Sequence, residues 1–458
     1  MPVFSAKERG AVDINRRGFL GLAACAGAFG VTGCKGFPGI VSRKSPNGVL
    51  RFGVIGCGRQ GRGDIGGFKT HKRIEMAAFC DVDRKILDEK IAPDFPKARL
   101  YQDWREMLDK EDLDAVLVAT PDHSHALIME EVMRRGIHLY AQKPLCRTMD
   151  EIRRLEAAAA SSGVVTQLGT QIAPWQCDRY TAELIRSGKI GAVKKVWVFS
   201  NTGVYQKLVD RSKPIVTAPV PPTLDWKGWL EGAPERPYAD TIYHPFRWRA
   251  WRDFGSGWLG DMGSHLLSPV WLGMGLDRSS PTWAKAEVLD EGWTAEQKRQ
   301  FLPQVAHVTW EFPGVKATDG KTFEVEWFDG PRDGKTPANF LPPKRLEELV
   351  AKTPYGKLPS QGRVVEGAEG VLFSTHFNVD PVILKASGKG NGEAFVAKND
   401  GTFQMAMPYM EPIQSHYHDF VECCLDGGTP MSSLDWTTKL TETIVRGNMA
   451  IAKPGAKA

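Results

Sequence analysis

The sequence lacks the features that define several large classes of protein. No run of about 18 uninterrupted apolar residues occurs, which argues against an integral membrane protein. The eight cysteines (Cys25, Cys34, Cys57, Cys80, Cys146, Cys177, Cys423 and Cys424) form no CxxC pair and no zinc spacing. They therefore offer neither a metal site nor a disulfide framework. Net charge is only +5 over 458 residues, and no Lys/Arg run is long enough to suggest a nucleic-acid partner. There is no internal repeat and no P-loop. What is present is a globular composition, 42% hydrophobic and 25% charged, in a chain long enough for two or three domains. Aromatics are plentiful: 14 Trp and 21 Phe.

Residues 1–34 read as an export signal rather than as fold. Asn15-Arg16-Arg17-Gly18-Phe19-Leu20 precedes a Gly/Ala-rich, weakly apolar stretch, the pattern of a twin-arginine signal. The other reading is a plain basic tail. Val31-Thr32-Gly33-Cys34 matches a bacterial lipoprotein box, which would make Cys34 a lipidation site and the only membrane attachment. The expected location is the periplasm, with residues 35–48 as a linker.

Val49–Ile55 reads as a short buried strand that runs into Gly56-Cys57-Gly58-Arg59-Gln60-Gly61 and then a helix. In that setting the glycine spacing has physical content. Gly56 makes the turn, Gly58 lets backbone approach a pyrophosphate, and Gly61 permits tight helix–strand packing. The helix amino terminus supplies N–H groups to the phosphates. The strand Ile74–Cys80 ends at Asp81, 20 residues after Gly61. An acid there suits a ribose diol and repels a 2′-phosphate, so NAD is favoured over NADP, although Arg84 follows closely. The competing reading is a helix N-cap at Asp81 or Asp83. The alternation continues through a strand to Thr120, a helix opened by Pro121-Asp122-His123-Ser124-His125, and a strand ending at Ala141-Gln142-Lys143-Pro144. The fold class expected is α/β, with a doubly wound parallel sheet of about six strands over residues 49–170. Ligands gather at the carboxyl ends of such strands. Gly56–Gly61, Asp81, Thr120–His125, Gln142 and Lys143 all fall on that edge.

These segments resemble the family of glucose–fructose oxidoreductase, inositol 2-dehydrogenase and MocA (Gfo/Idh/MocA), and the similarity continues through 178–191 and 257–265. The Arg16-Arg17 pair, with Trp226–Leu230 and Gly255–His265, is similar to an exported bacterial branch. The resemblance implies a second, α+β domain over 171–458 with an open, largely antiparallel sheet, a face for homo-oligomerisation, and C-terminal helices packing back. It further implies that Lys143 bonds the reacting oxygen, that His265 accepts the proton, and that Asp261 is its partner or a substrate ligand. Gln142 departs from the family, where many members carry Glu. That change removes an anion that would raise the pKa of Lys143, provided the two side chains approach.

Read from the residues alone, Asp261 and His265 are four apart and share a face over one helical turn. A carboxylate can orient an imidazole that takes the proton from a secondary alcohol as hydride leaves the carbon. A surface pair is the other reading. The run Arg247-Trp248-Arg249-Ala250-Trp251-Arg252 offers flat apolar faces and charged donors suited to a sugar ring, with Trp175, Tyr243 and His244 as further candidates. Packing at a domain interface explains Trp248 and Trp251 equally well. Residues 327–384, rich in Pro, Gly and Lys, read as loops inserted between strands, with strand-like pieces at Phe323–Trp327 and Gly370–Ser374. The expected activity is oxidation of a secondary hydroxyl of a sugar or polyol by a tightly held, internally recycled cofactor. The alternatives are redox-neutral cleavage or epimerisation of a glycoside, and a non-catalytic carbohydrate-binding lipoprotein.

Overall fold

The structure, a computed structural model, describes residues 48–170, 176–204, 208–353, 355–375, 381–385, 394–396 and 415–458, all within the compact unit Ile40–Ala458. Trp175, Cys34 and the paired arginines of the signal lie outside the described residues.

The first half alternates strand and helix: β1 (Leu50–Ile55), α1 (Arg59–Phe68), β2 (Ile74–Cys80), β3 (Arg99–Tyr101), α2 (Trp104–Lys110), β4 (Ala115–Val118), α3 (Asp122–Arg134), β5 (His138–Ala141), α4 (Met149–Ser162) and β6 (Thr166–Leu168). The six strands are parallel in the order β3-β2-β1-β4-β5-β6, so the order reverses beside β1, where a crevice opens. Strands β1, β4 and β5 are almost entirely buried, which is why they read as continuous apolar runs. Helix α4 starts at a capping box between Thr148 and Glu151 and stops at Gly163 in the left-handed region.

The second half holds α5 (Gln176–Arg186), β7 (Val193–Ser200), α6 (Trp226–Leu230), α7 (Gly257–Met274), β8 (Trp283–Val288), α8 (Ala295–Gln300), β9 (Ala306–Phe312), β10 (Phe323–Phe328), α9 (Lys344–Val350), β11 (Gln361–Gly367), β12 (Gly370–Thr375), β13 (Val382–Lys385) and β14 (Ala394–Val396). Eight strands form one sheet in the order β14-β13-β12-β11-β7-β10-β9-β8, antiparallel except for the parallel pair β7–β10. Residues 327–384 supply three of the strands, β11 to β13, and the piece read at Gly370–Ser374 falls in β12. One face of this sheet packs on α7 through Trp271, Trp310, Trp327 and Val325. On the other face, α9 covers Trp197, Phe199, Val364 and Phe373 with Leu346 and Val350.

Two last helices, α10 (His416–Asp426) and α11 (Leu434–Ala452), return to the first sheet. Phe420, Val421 and Cys424 enter the core beside Phe52 and Phe68, and Leu434 and Val445 join the core on the α4 side.

Candidate active site

The carboxyl ends of β1, β2, β4 and β5 open into a cavity of about 510 Å3, roofed by residues 228–261 of the second half. Its floor is the glycine turn. Gly56 has φ +91, and a Cβ there would lie 2.6 Å from the Ala119 carbonyl oxygen. A Cβ on Gly61 would lie 2.0 Å from the Gly56 carbonyl oxygen, so only glycine lets α1 start this close to β1. Gly58 faces the cavity, with nothing nearer to its would-be Cβ than Ile86 at 3.4 Å. Cys57 contributes backbone rather than chemistry: its side chain is buried, and burial first and Asp81 second push its thiol well above the ordinary range.

Asp81 closes the β2 end. Its carboxylate accepts from the Cys57 N–H at 2.8 Å and the Asp83 N–H at 3.0 Å. Burial raises its pKa, and those two backbone bonds oppose the rise. Asp83, not Asp81, caps the short helical turn Arg84–Ile86, accepting from the Lys85 N–H. His244 stands 3.5 Å from Asp83 on the cavity wall, so it belongs to the β2 end and not to the neighbourhood of Lys143. Arg59 lies with its guanidinium 4.3 Å above the Phe246 ring, bringing the glycine turn against the roof.

The other end is built around Lys143. Its ammonium donates to an Asp261 carboxylate oxygen and, at 3.0 Å, to the Asp261 carbonyl. Arg249 lies 4.0 Å from the second carboxylate oxygen of Asp261 and stacks on Trp248 at 4.1 Å. Asp122, at the start of α3, also lines the wall, and burial raises its pKa against the pull of His125 and Arg249. Two cations and two carboxylates therefore meet at this end. Thr120, Pro121, Gln60, Gln142 and Trp248 line the same cavity.

Several candidates stand elsewhere. His123 is buried between Trp229 and Phe254, with Nε2 2.9 Å from the Trp229 carbonyl oxygen, and is off the cofactor cavity. His125 bridges the carbonyl oxygens of Thr120 and Pro144 at 2.7 and 2.8 Å, fixing the Lys143 loop from behind. Tyr243 and Trp251 are core, packed on one another at 4.8 Å, because their rings complete the hydrophobic cluster beneath α6. Arg247 is exposed and not on the wall. His265 is buried on α7, one turn beyond Asp261, and is likewise not part of the wall. Gln142 points away from the Lys143 ammonium, so the anion that acts on this lysine is Asp261. Arg249 and Asp122 lie on the wall, as the segments singled out for them in the sequence suggest, whereas sequence reasoning missed Gln102, Trp104 and Trp229, which are brought in by tertiary packing.

A parallel sheet in this order, with a glycine turn and an acid closing its crevice, defines a dinucleotide-binding protein with a second domain over the site. Residues 50–170 match the NAD-binding Rossmann fold of the Gfo/Idh/MocA oxidoreductase family, and residues 178–300 match that family's C-terminal alpha/beta domain. The chain belongs to this family. A glycosyl hydrolase family 109 protein from Shewanella pealeana is 34% identical over 111 residues, 22% of this chain and 24% of that protein. A 1-carboxy-3-chloro-3,4-dihydroxycyclohexa-1,5-diene dehydrogenase from Comamonas testosteroni is 28% identical over 145 residues, 32% of this chain and 36% of that protein. The matches thus span between about a quarter and a third of these relatives. In fold, the chain is similar to the WlbA dehydrogenase from Bordetella pertussis, solved with NADH and UDP-GlcNAcA (TM-score 0.56, 16% identity, 89% of this chain and 98% of that one). It is equally similar to an aldose-aldose oxidoreductase from Caulobacter crescentus (TM-score 0.57, 16% identity, 90% and 99%). The cradle at Gly58 and the acid at Asp81 fit a nicotinamide dinucleotide.

Proposed function

We propose that this protein oxidises a secondary hydroxyl of a sugar or polyol, using NAD held in the cleft and regenerated there by a second carbonyl substrate. The observation that carries the reading is the Lys143–Asp261 pair at the Arg249 end of the cavity, across from Asp81. When bound, the nicotinamide supplies a hydride acceptor for the carbinol carbon. Lys143 donates to the reacting oxygen and stabilises the charge that develops as its proton leaves. Asp261 takes that proton and relays it to His265, one helical turn deeper. Trp248 and Arg249 present a flat face and a fixed donor to the ring. NAD is preferred over NADP because Asp81 faces the β2 end, while Arg84 is engaged by Asp88 at 2.9 Å.

The second reading is redox-neutral cleavage of a glycoside. It draws on the similarity to the glycosyl hydrolase family 109 protein. Oxidation of one ring carbon would activate the neighbouring bond for elimination, and water would add before reduction. Export by the twin-arginine route, lipidation at Cys34 and assembly of like subunits through the second sheet complete the proposal; the first two rest on the Arg16-Arg17 and Val31–Cys34 motifs.

The test is to give the purified protein a panel of sugars, polyols and glycosides, following bound reduced nicotinamide by fluorescence and products by mass spectrometry. A fluorescence rise on adding a sugar, reversed by a second carbonyl compound, is the expected result. Glycoside cleavage with no net reduction favours the second reading. No reduction and no product with any member of the panel contradicts both.

A further inference from the structure

We infer that Asp64 is a positioning residue that orients two cavity-lining amides, Gln60 and Gln142, toward the dinucleotide. The inference rests on the reading of the cavity as a dinucleotide site. Asp64 lies on α1, fully buried, behind the glycine turn. Its Oδ2 accepts from Gln142 Nε2 at 2.7 Å. Its Oδ1 accepts from Gln60 Nε2 and from the Tyr417 hydroxyl, each at 2.9 Å. An ionised carboxylate has only acceptors, so both glutamines must turn their NH2 groups to it. The carbonyl oxygens of both side chains are thereby turned away from Asp64, and that of Gln142 accepts from the Lys143 N–H at 3.3 Å, which leaves it one lone pair. Both residues line the cavity, where such oxygens suit ribose hydroxyls or the carboxamide NH2.

The arrangement also accounts for the glutamine before Lys143-Pro144. A glutamate at 142 would set a second carboxylate within hydrogen-bond distance of Asp64 in a buried place, and the two could not both ionise. The titratable groups around this cluster are Tyr417 and His416 from α10, Tyr140 from β5, and Lys143, which is turned to Asp261. Of these, Tyr417 has its polar hydrogen on Asp64.

The experiment is NADH affinity, measured by fluorescence titration between pH 6 and pH 9, for the unaltered protein, Gln142→Glu, Asp64→Asn and the double variant Asp64→Asn/Gln142→Glu. Gln142→Glu is expected to bind well at pH 6, where the carboxyl pair shares a proton, and about tenfold more weakly at pH 9. Asp64→Asn is expected to weaken binding severalfold at every pH. In the double variant, donor and acceptor exchange places, so affinity should return to within a few fold of the unaltered protein and lose the pH dependence. A pH-independent loss in Gln142→Glu, or a double variant worse than either single one, overturns the inference. Failure of the unaltered protein to bind NADH would instead overturn the dinucleotide reading.

Discussion

The chemistry turns on how one lysine is held. Lys143 leaves β5 beside buried Gln142, its loop is fixed by His125, and its ammonium is captured by Asp261 across the two halves. Replacing it by methionine keeps the volume and removes the donor. Lys143→Met is expected to lower turnover by about 10²- to 10⁴-fold while NADH affinity, measured separately, stays within a few fold. Equal loss of binding and turnover would make Lys143 a cofactor ligand only. Lys143 and Asp261 were legible in the sequence as a strand-end lysine and an acid in a glycine-rich helix start. Their contact with each other was not, because 118 residues separate them. The same limit explains Tyr243 and Trp251, whose residue type proposes a ring for a sugar, and His123, whose place in the chain proposes the cofactor edge: only packing reveals that these rings fill the core. The tryptophan excess is mostly of that kind, with Trp251, Trp271, Trp310 and Trp327 almost wholly buried.

Among the elements, the parallel sheet was the most legible, because strands buried on both faces leave unbroken apolar runs and glycine and proline mark their ends. Strand β3, three residues long, carries too short a pattern to be seen. Strands β11 and β13 were obscured by the polar, Pro/Gly-rich segments around them, whereas β12 was legible at Gly370–Ser374. The junction of β1 and α1 is the most constrained element. Gly61→Ala forces a methyl group against the Gly56 carbonyl, and since that contact is to backbone, no side chain can yield. The variant is expected to keep its circular dichroism spectrum but to lose at least about tenfold in NADH affinity. Unchanged affinity would mean that α1 can shift without disturbing the cradle.

On the scale of the molecule, the two halves meet along a seam that is both hydrophobic and sensitive to acid. His123 sits there between Trp229 and Phe254, and burial lowers its pKa from 6.5 to about 3. His416, the first residue of α10, is lowered to about 3 by the same cause. Between pH 6.5 and 3 the unfolded chain binds protons that these buried rings refuse, so their contribution to stability is complete above about pH 6.5 and is lost as pH falls through that window. The thermal midpoint is expected to fall across it, and His123→Phe should fall less steeply. An identical pH slope in the variant would remove His123 from the account. On the second sheet, α9 covers the apolar strip around Trp197 and Phe373. The strip around Lys195, Glu324 and Glu326 is charged instead.

The central claim is that the cavity between the two halves holds NAD. Mass spectrometry of the small molecules released on denaturing the purified protein, after incubation with equimolar NAD and NADP and removal of the excess, tests it most directly. NAD or NADH at close to one per chain, with little NADP, is the expected result. Release of NADP in excess, or of no dinucleotide at all, would contradict the claim.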